Sequence, residues 1–491
     1  MLKRLICALL AGVMVFGMAS CAAGDETDNP AAVTTGGISD EGETEDPNYT
    51  CELPAGLNYN SEEINIMYGN SPGQSDEMYS EKLGLGTVSD AVYERNVAVE
   101  NQLGVKLVSV EGSNIVSTLQ TTVQAGDDSL DIFVMVSFES ILQAISGHYV
   151  NLNTLDYIDT SKHYWVQDYN EIVTFTDENM QFLATSPAAL SMFRLTYFTI
   201  FNQEMMKERQ MPNLYEAVAN GEWTLDYQYK LIADEYVDSD GDGKRSKEDY
   251  YGFVTGGFES LDAYLVASGV RLAVRDENGE WIFNSEKLEA ISDMVEKVCA
   301  LNNAPGAFVG EDGIGTYHVI DKFASEKALM STTMFLSLEG RIDALADLSY
   351  GIVPMPKLNR DQSKYYTFVQ DRVSSFGISA GIGEKNRQDM LGAVMESIAY
   401  HSNKIVRPAY YDTTLSLRFM QDKDSSDMLD LMFETLSFDL GYYVGLGDIR
   451  SQMRSILDST NASVASRFRT WEKVSNATLK QYRKSLEKLQ K

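Results

Sequence analysis

TVSDAVYERNVAVENQLGVKLVSV, residues 87–110, joins a helical pattern to a β-rich run without a break. Val88, Val92, Val99 and Leu103 share one face of a helix, and Gly104 can end it in the left-handed conformation. VKLVSV (105–110) then reads as a strand, as does INIMY (64–68) on the upstream side. Strand, helix, strand is the grammar of an α/β fold. Further runs at DIFVMVS (131–137), YGFVTG (251–256), YGIVP (350–354) and SSFGISA (374–380) alternate with helical patterns. No internal repeat is present.

Outward from this body, the chain opens MLKRLICALLAGVMVFGMASC, with Lys3 and Arg4 ahead of an apolar run from Leu5 to Phe16. That is an export signal, too short to span a membrane. MASC (18–21) resembles a bacterial lipobox with Met18 in place of the commoner leucine, so residues 1–20 are expected to leave and Cys21 to carry a lipid. Residues 21–59 are acidic and lack apolar periodicity, the composition of a disordered tether. The charge of −32, from 40 basic and 72 acidic residues, excludes nucleic acid as a partner. Of the four cysteines, Cys51 and Cys299 remain for the body. Cys299 shares a helical face with Leu288, Ile291, Val295 and Val298 and reads as a buried thiol; a disulfide to Cys51 would tie a core helix to the edge of the tether.

The ordered series DAVYERNVAVENQLGVKL, YIDTSKHYWVQDYNE, FTIFNQEMM with MPNLYEAVANGEWTLD, the acidic loop with DYYGF, and YGIVPMPKL resembles bacterial extracellular solute-binding proteins of family 1, the receptors of ABC importers. It spans nearly all of the chain after the tether. The resemblance implies two hinge-linked α/β lobes with a central ligand cleft. The first crossing would fall near 191–202 and the second near 373–380. Lobe 1 would hold 60–192 with about 376–412, and lobe 2 about 200–370 with about 413–491. It also implies a monomer without catalysis, held outside the cytoplasm by its lipid, that delivers a solute, most simply a carbohydrate, to a permease pair and its ATPase.

DSDGDGKRSKED (238–249) spaces Asp238, Asp240 and Asp242 two apart, puts Gly243 sixth and closes with Asp249 in the twelfth place. With the Lys244 carbonyl seventh, the loop can wrap Ca²⁺. TLDYQYKLIADEYV (224–237) reads as an entering helix, but YYGFV after the loop reads as a strand, so the second helix of a calcium sensor is missing. The reading is a structural staple; a solvated acidic turn is the plainer alternative.

Sugar receptors stack aromatic rings on apolar sugar faces and ring the hydroxyls with polar partners. Loops after strands lead into the cleft of an α/β lobe, which nominates Ser137, Phe138 and Glu139. The resemblance adds Tyr164 and Trp165, where many relatives carry a tryptophan pair, and Phe335, Gln370 and Asp371. Phe138 and Phe335 read equally well as core, and Asp371 can pair with Arg372. Trp223 and Trp281 read as structural. Three rivals stand beside this reading. GISAG (377–381) fits a nucleophile elbow around Ser379, but the downstream histidine, His401, lies in a helix pattern. A glycosidase needs a carboxylate pair that sequence cannot place. A calcium-stabilised adhesion module would share the loop and not the transport.

Overall fold

A computed structural model describes residues 51–489 apart from 52, 75, 176–179, 257–258, 311–314, 412–422 and 458–463. The expected signal sequence, Cys21 and the tether as far as residue 50 lie outside the described residues. Among the described residues two sheets are built from a short strand at Tyr236–Val237 and nine others: β1 (Glu62–Tyr68), β2 (Val105–Glu111), β3 (Ile132–Val136), β4 (Tyr197–Asn202), β5 (Tyr250–Thr255), β6 (Ala307–Val309), β7 (Ala328–Met334), β8 (Tyr350–Pro354) and β9 (Ser374–Ile378). The helices that matter for the site are α1 (Thr87–Leu103), α2 (Ser137–Ile145), α3 (Leu190–Arg194), α4 (Glu259–Ala267), α5 (Phe335–Glu339), α6 (Lys385–His401), α7 (Lys423–Glu434) and α8 (Ala465–Leu489).

The first sheet has the order β9-β3-β1-β2. Strands β1, β2 and β3 are parallel, with Ile66 opposite both Ser109 and Ile132, and β9 runs antiparallel to β3 with Phe376 opposite Val134. Helix α1 makes the β1–β2 crossover and buries Ala91, Val92, Arg95, Val99 and Leu103. Gly104 ends it at φ 60°, ψ 40°, its N–H on the Glu100 carbonyl. Any side chain there would meet Asn58, whose Oδ1 lies 2.4 Å from the position a Cβ would take.

The second sheet has the order β6-β5-β7-β4-β8. Strands β6, β5 and β7 are parallel, and β4 is antiparallel to both β7 and β8. All residues of β4, β5, β7 and β8 are buried, which is why they read as continuous apolar or small-residue runs rather than alternating ones. The short strand Tyr236–Val237 pairs with β5. Each sheet with its helices is a lobe, so the chain is the two-lobed α/β structure expected of it.

Two segments pass between the lobes side by side. Thr196 and Val369 form an antiparallel bridge, and Gln370 N–H donates to the Leu195 carbonyl at 3.1 Å. The second passage is thus at 369–373, just upstream of its expected place, because 374–378 is itself strand β9. Helix α6 packs on α1 in the first lobe, and α7 packs on β8 in the second. No disulfide joins Cys51 to Cys299; both are half-buried, and the Cys299 sulfur accepts from the Asn303 amide at 3.5 Å. Cys299 therefore sits at the edge of its helix's buried face and not in the core.

Candidate functional site at the lobe seam

The segments that follow the carboxyl ends of the parallel strands meet at the seam, where open α/β sheets place their ligands. After β3, Phe138 N–H donates to the Asp371 carbonyl at 3.1 Å and the Ser137 hydroxyl to the Val373 carbonyl at 2.7 Å. The Asp371 carboxylate takes a hydrogen bond from Arg450 at 2.7 Å. Arg450 lies over the Tyr442 ring, 4.2 Å from its centroid, and the Tyr442 hydroxyl donates to Asp262 at 2.6 Å. Asp262 is on α4, the helix after β5, and also binds Arg454. Burial raises the Asp371 pKa, and Arg450 opposes the rise.

A second network centres on Arg194 of α3, at the entrance to the first crossing segment. Its guanidinium is bidentate to Asp76, in the loop after β1, with one contact at 2.8 Å. The same group reaches the Gly73 carbonyl at 3.1 Å and, in the other lobe, Glu339 of α5 at 3.1 Å. The Tyr410 hydroxyl donates to Glu339 as well, and the Tyr410 ring stacks on Phe193 at 5.1 Å. Burial alone would lower the Arg194 pKa; Asp76 and Glu339 outweigh it and hold the charge. Beside this network, Glu77 is fully buried and accepts from the Ser191 N–H and the Ser374 hydroxyl, one at the root of each crossing segment. Burial pushes its carboxyl up to about 7 against those hydrogen bonds and the charge of Arg194.

Between the lobes lies a cavity of about 500 Å³, within the range of small-molecule sites. Its aromatic lining comes from Tyr164, Trp165 and Phe193 of the first lobe and Phe433 of the second. Gln167, Lys364, Arg407 and Glu434 add exposed polar groups. Asp168 ties the lobes at its edge, bonded to Arg271 at 2.8 Å and to the Phe438 N–H at 2.7 Å. Glu396 of α6 fixes the wall: it accepts from the Tyr164 hydroxyl and from Trp165 Nε1 at 3.0 Å.

Of the residues nominated by sequence, Tyr164 and Trp165 line this cavity, yet both are almost wholly buried. Their polar atoms belong to Glu396, so the small surface they leave open to a ligand is ring edge and face rather than a polar group. Phe138 and Glu139 are half-buried beside Asp371, and burial raises the Glu139 carboxyl against the charge of Arg372. The Gln370 amide donates to the Tyr197 hydroxyl at 3.3 Å. Ser137 and Phe335 have no exposed surface. The Phe335 ring packs on Phe198 at 4.4 Å, so its place is the core of the second lobe. The pairing of Asp371 with Arg372 gives way to one with Arg450, 79 positions away. Arg194, Asp262, Tyr442 and Arg450 were not found from sequence; the one available signal was a lone arginine in the apolar run SMFRLTYF (191–198).

The acidic loop lies elsewhere, between Tyr236–Val237 and β5. The helix before it ends at Ile232, so a strand, not the expected helix, enters the loop. Asp238, Asp240 and Asp242 bring carboxylate oxygens within 4.8 Å of one another. Asp249 is not in that group. It is fully buried and accepts from Ser239 N–H at 3.0 Å, Ser246 N–H at 2.8 Å and the Tyr236 hydroxyl at 3.2 Å. The nominated twelfth ligand thus closes the loop itself. Lys244 donates its N–H to Asp242 at 2.7 Å. Arg245, out of place in a paired calcium loop, instead lies over Tyr251 at 5.3 Å and donates to the Ala307 carbonyl at 2.5 Å, pinning the loop to β6. These carboxylates suit a hard cation, with fewer protein ligands than the sequence pattern supplies.

Ser379 is fully buried, and its oxygen accepts the Gly381 N–H at 3.2 Å. His401 faces Gln102 at 2.9 Å and is held to about 4, chiefly by burial. The two do not form a catalytic pair.

No family model and no curated protein matches the sequence. Among solved structures, the chain is similar to an ABC substrate-binding protein of Listeria monocytogenes in complex with cycloalternan, at 15% identity over 86% of this chain and 99% of that one, TM-score 0.51. It is similar to the apo form of RafE from Streptococcus pneumoniae, at 17% identity, 86% and 99% coverage and TM-score 0.52. A sugar transporter protein of Rhizobium etli in an open conformation gives 12% identity, 86% and 99% coverage and TM-score 0.54. At such identities the likeness speaks to architecture, and the chain has the two-lobed fold of the ABC solute-binding proteins.

Proposed function

We propose that this chain is the extracytoplasmic solute receptor of an ABC importer, anchored through a lipid on Cys21, and that its solute is a carbohydrate. The cavity between the lobes carries this reading. Aromatic rings from both lobes meet there with amide, cationic and carboxylate groups at the edge, the combination that fits a sugar's apolar faces and hydroxyl rim. The names of the solved relatives, which include a complex with cycloalternan and a sugar transporter, support the same class. The receptor performs no chemistry on its solute; it closes on it and hands it to a permease.

A thermal-shift and calorimetry series over oligosaccharides tests the proposal. At least one should raise the melting temperature, as a ligand of the folded state must, and small-angle scattering should then show a smaller radius of gyration. Trp165→Phe keeps the packing while reducing ring surface and removing the donor to Glu396. It should lower affinity for that sugar severalfold and cost about 1 kcal/mol of stability. A panel in which no glycan binds, while a peptide does, ends the carbohydrate reading.

In the same proposal the 238–249 loop takes Ca²⁺ through Asp238, Asp240 and Asp242 with the Lys244 carbonyl, and the ion braces the β5 edge of the second lobe. The mutual repulsion of these carboxylates supports it: although the Asp242 N–H holds Asp240 down, burial and the neighbouring aspartates leave its pKa raised.

A further inference from the structure

Helix α8 reverses the charge of the chain. Against 72 acidic and 40 basic residues overall, its acids are Glu472 and Glu487, while arginine and lysine recur along its whole length. One face packs inward through Phe468, Trp471, Ser475, Leu479 and Leu486. At 3.6 residues per turn, Arg469, Lys473, Lys480, Lys484 and Lys488 fall on a single arc of about 100° opposite that face. All five are exposed, and none has an ion pair or hydrogen bond among the described residues. The cation on the inner flank behaves differently: Arg483 is paired with Glu280 and Glu487. Attraction to the helix's own C-terminal dipole accounts for lysines in the last turn, but not for Arg469, Lys473 or Lys480, two turns and more away from it.

We propose that this outward face of α8 is a docking surface for an anionic lipid bilayer. The stripe is straight and about 28 Å long at 1.5 Å per residue, a form suited to a flat charged plane rather than a concave pocket. A chain whose net charge is −32 is repelled by a negative surface over most of its area. Beyond a Debye length of about 8 Å that repulsion is screened, so the face that presents unpaired cations is the one that can approach. The helix also bears on both lobes. Asn476 accepts the Phe283 N–H at 2.8 Å in the second, and Leu489 lies against Gly147 in the first. A bilayer on its outer face would therefore set the orientation of the whole receptor.

The test uses the chain freed of its apolar leader and carrying Cys21→Ala, so that no lipid contributes. It is co-sedimented with vesicles of phosphatidylcholine and with vesicles containing phosphatidylglycerol. Binding should be at least tenfold stronger to the anionic vesicles, fall with added salt, and be lost in Lys473→Glu/Lys480→Glu/Lys484→Glu. The glutamine counterpart at the same three positions should bind at an intermediate level with an unchanged melting curve, which separates charge from folding. Equal binding to both vesicle types, or retention of binding by the charge-reversed variant, overturns the proposal. So does capture by a soluble polyglycerol phosphate without capture by vesicles, which would identify a soluble polyanion as the occupant.

Discussion

At the lobe seam Asp76, Glu339, Asp371 and Asp262 each face a guanidinium, whereas in the 238–249 loop Asp238, Asp240 and Asp242 face one another. Both regions gather carboxylates within a few ångströms. At the seam the chain supplies the opposing charge from distant sequence, and removing one partner strands the other in a poorly hydrated place. In the loop no guanidinium joins the cluster, solvent reaches Asp240 and Asp242, and the opposing charge must come from solution. Charge that is neutralised internally becomes a mechanical tie; charge left open becomes a binding site.

The contrast can be broken most forcefully at Arg194. Arg194→Met leaves Asp76 and Glu339 without their shared cation and should cost about 3 kcal/mol in urea unfolding; Arg194→Lys, keeping charge but not the fork, should fall between. A loss no larger than that of an exposed pair would mean the seam is not a tie. Arg450→Met should cost about 2 kcal/mol, since it unpairs Asp371 and uncovers Tyr442. Asp371→Asn in that background should recover part of the loss.

Glu77 sharpens the comparison through pH. The folded chain holds its proton up to about 7, whereas an ordinary glutamate titrates near 4.5. Its contribution to stability is therefore complete below about 4.5 and is lost as pH rises through about 7. Melting curves of wild type and Glu77→Gln across that window should diverge in favour of the variant as pH rises. Parallel curves would show that Glu77 is ionised throughout, and hence part of the arginine-neutralised set. The smallest effect belongs to the loop. Chelation should lower the melting temperature modestly in wild type and leave Asp240→Asn/Asp242→Asn untouched. If chelator changes nothing in wild type, the loop is a solvated turn and the contrast loses its second half.

Legibility in the sequence followed distance along the chain. Strands β1, β2, β3, β5, β8 and β9, and helix α1 with its glycine cap, were legible because each is encoded by neighbours at periods of two or three to four residues. The loop was the most audible motif for the same reason: its carboxylates are two positions apart. The ion pairs of the seam were silent, because Arg194 meets Asp76 across 118 positions and Asp262 meets Arg454 across 192. No local pattern records such a pairing. Phe335 shows the converse difficulty. An aromatic residue after a strand suits a cleft and a core equally, and only the packing of Phe198 against it decides.

The first sheet takes its fourth strand, β9, from beyond the whole of the second. Strands β4 to β8 occupy a continuous stretch, residues 197–354, so the sheet of the second lobe can pair as soon as that stretch is free, before α7 arrives to cover β8. The first lobe cannot. Until residues 374–378 arrive, the Phe133–Val136 edge of β3 stands open, with its backbone groups unpaired and its apolar side chains uncovered. Such an edge pairs readily with another chain. Sheet formation should thus run against the order of synthesis, with the late sheet pairing early and the early sheet waiting. A destabilised second lobe would show itself first as aggregation through β3.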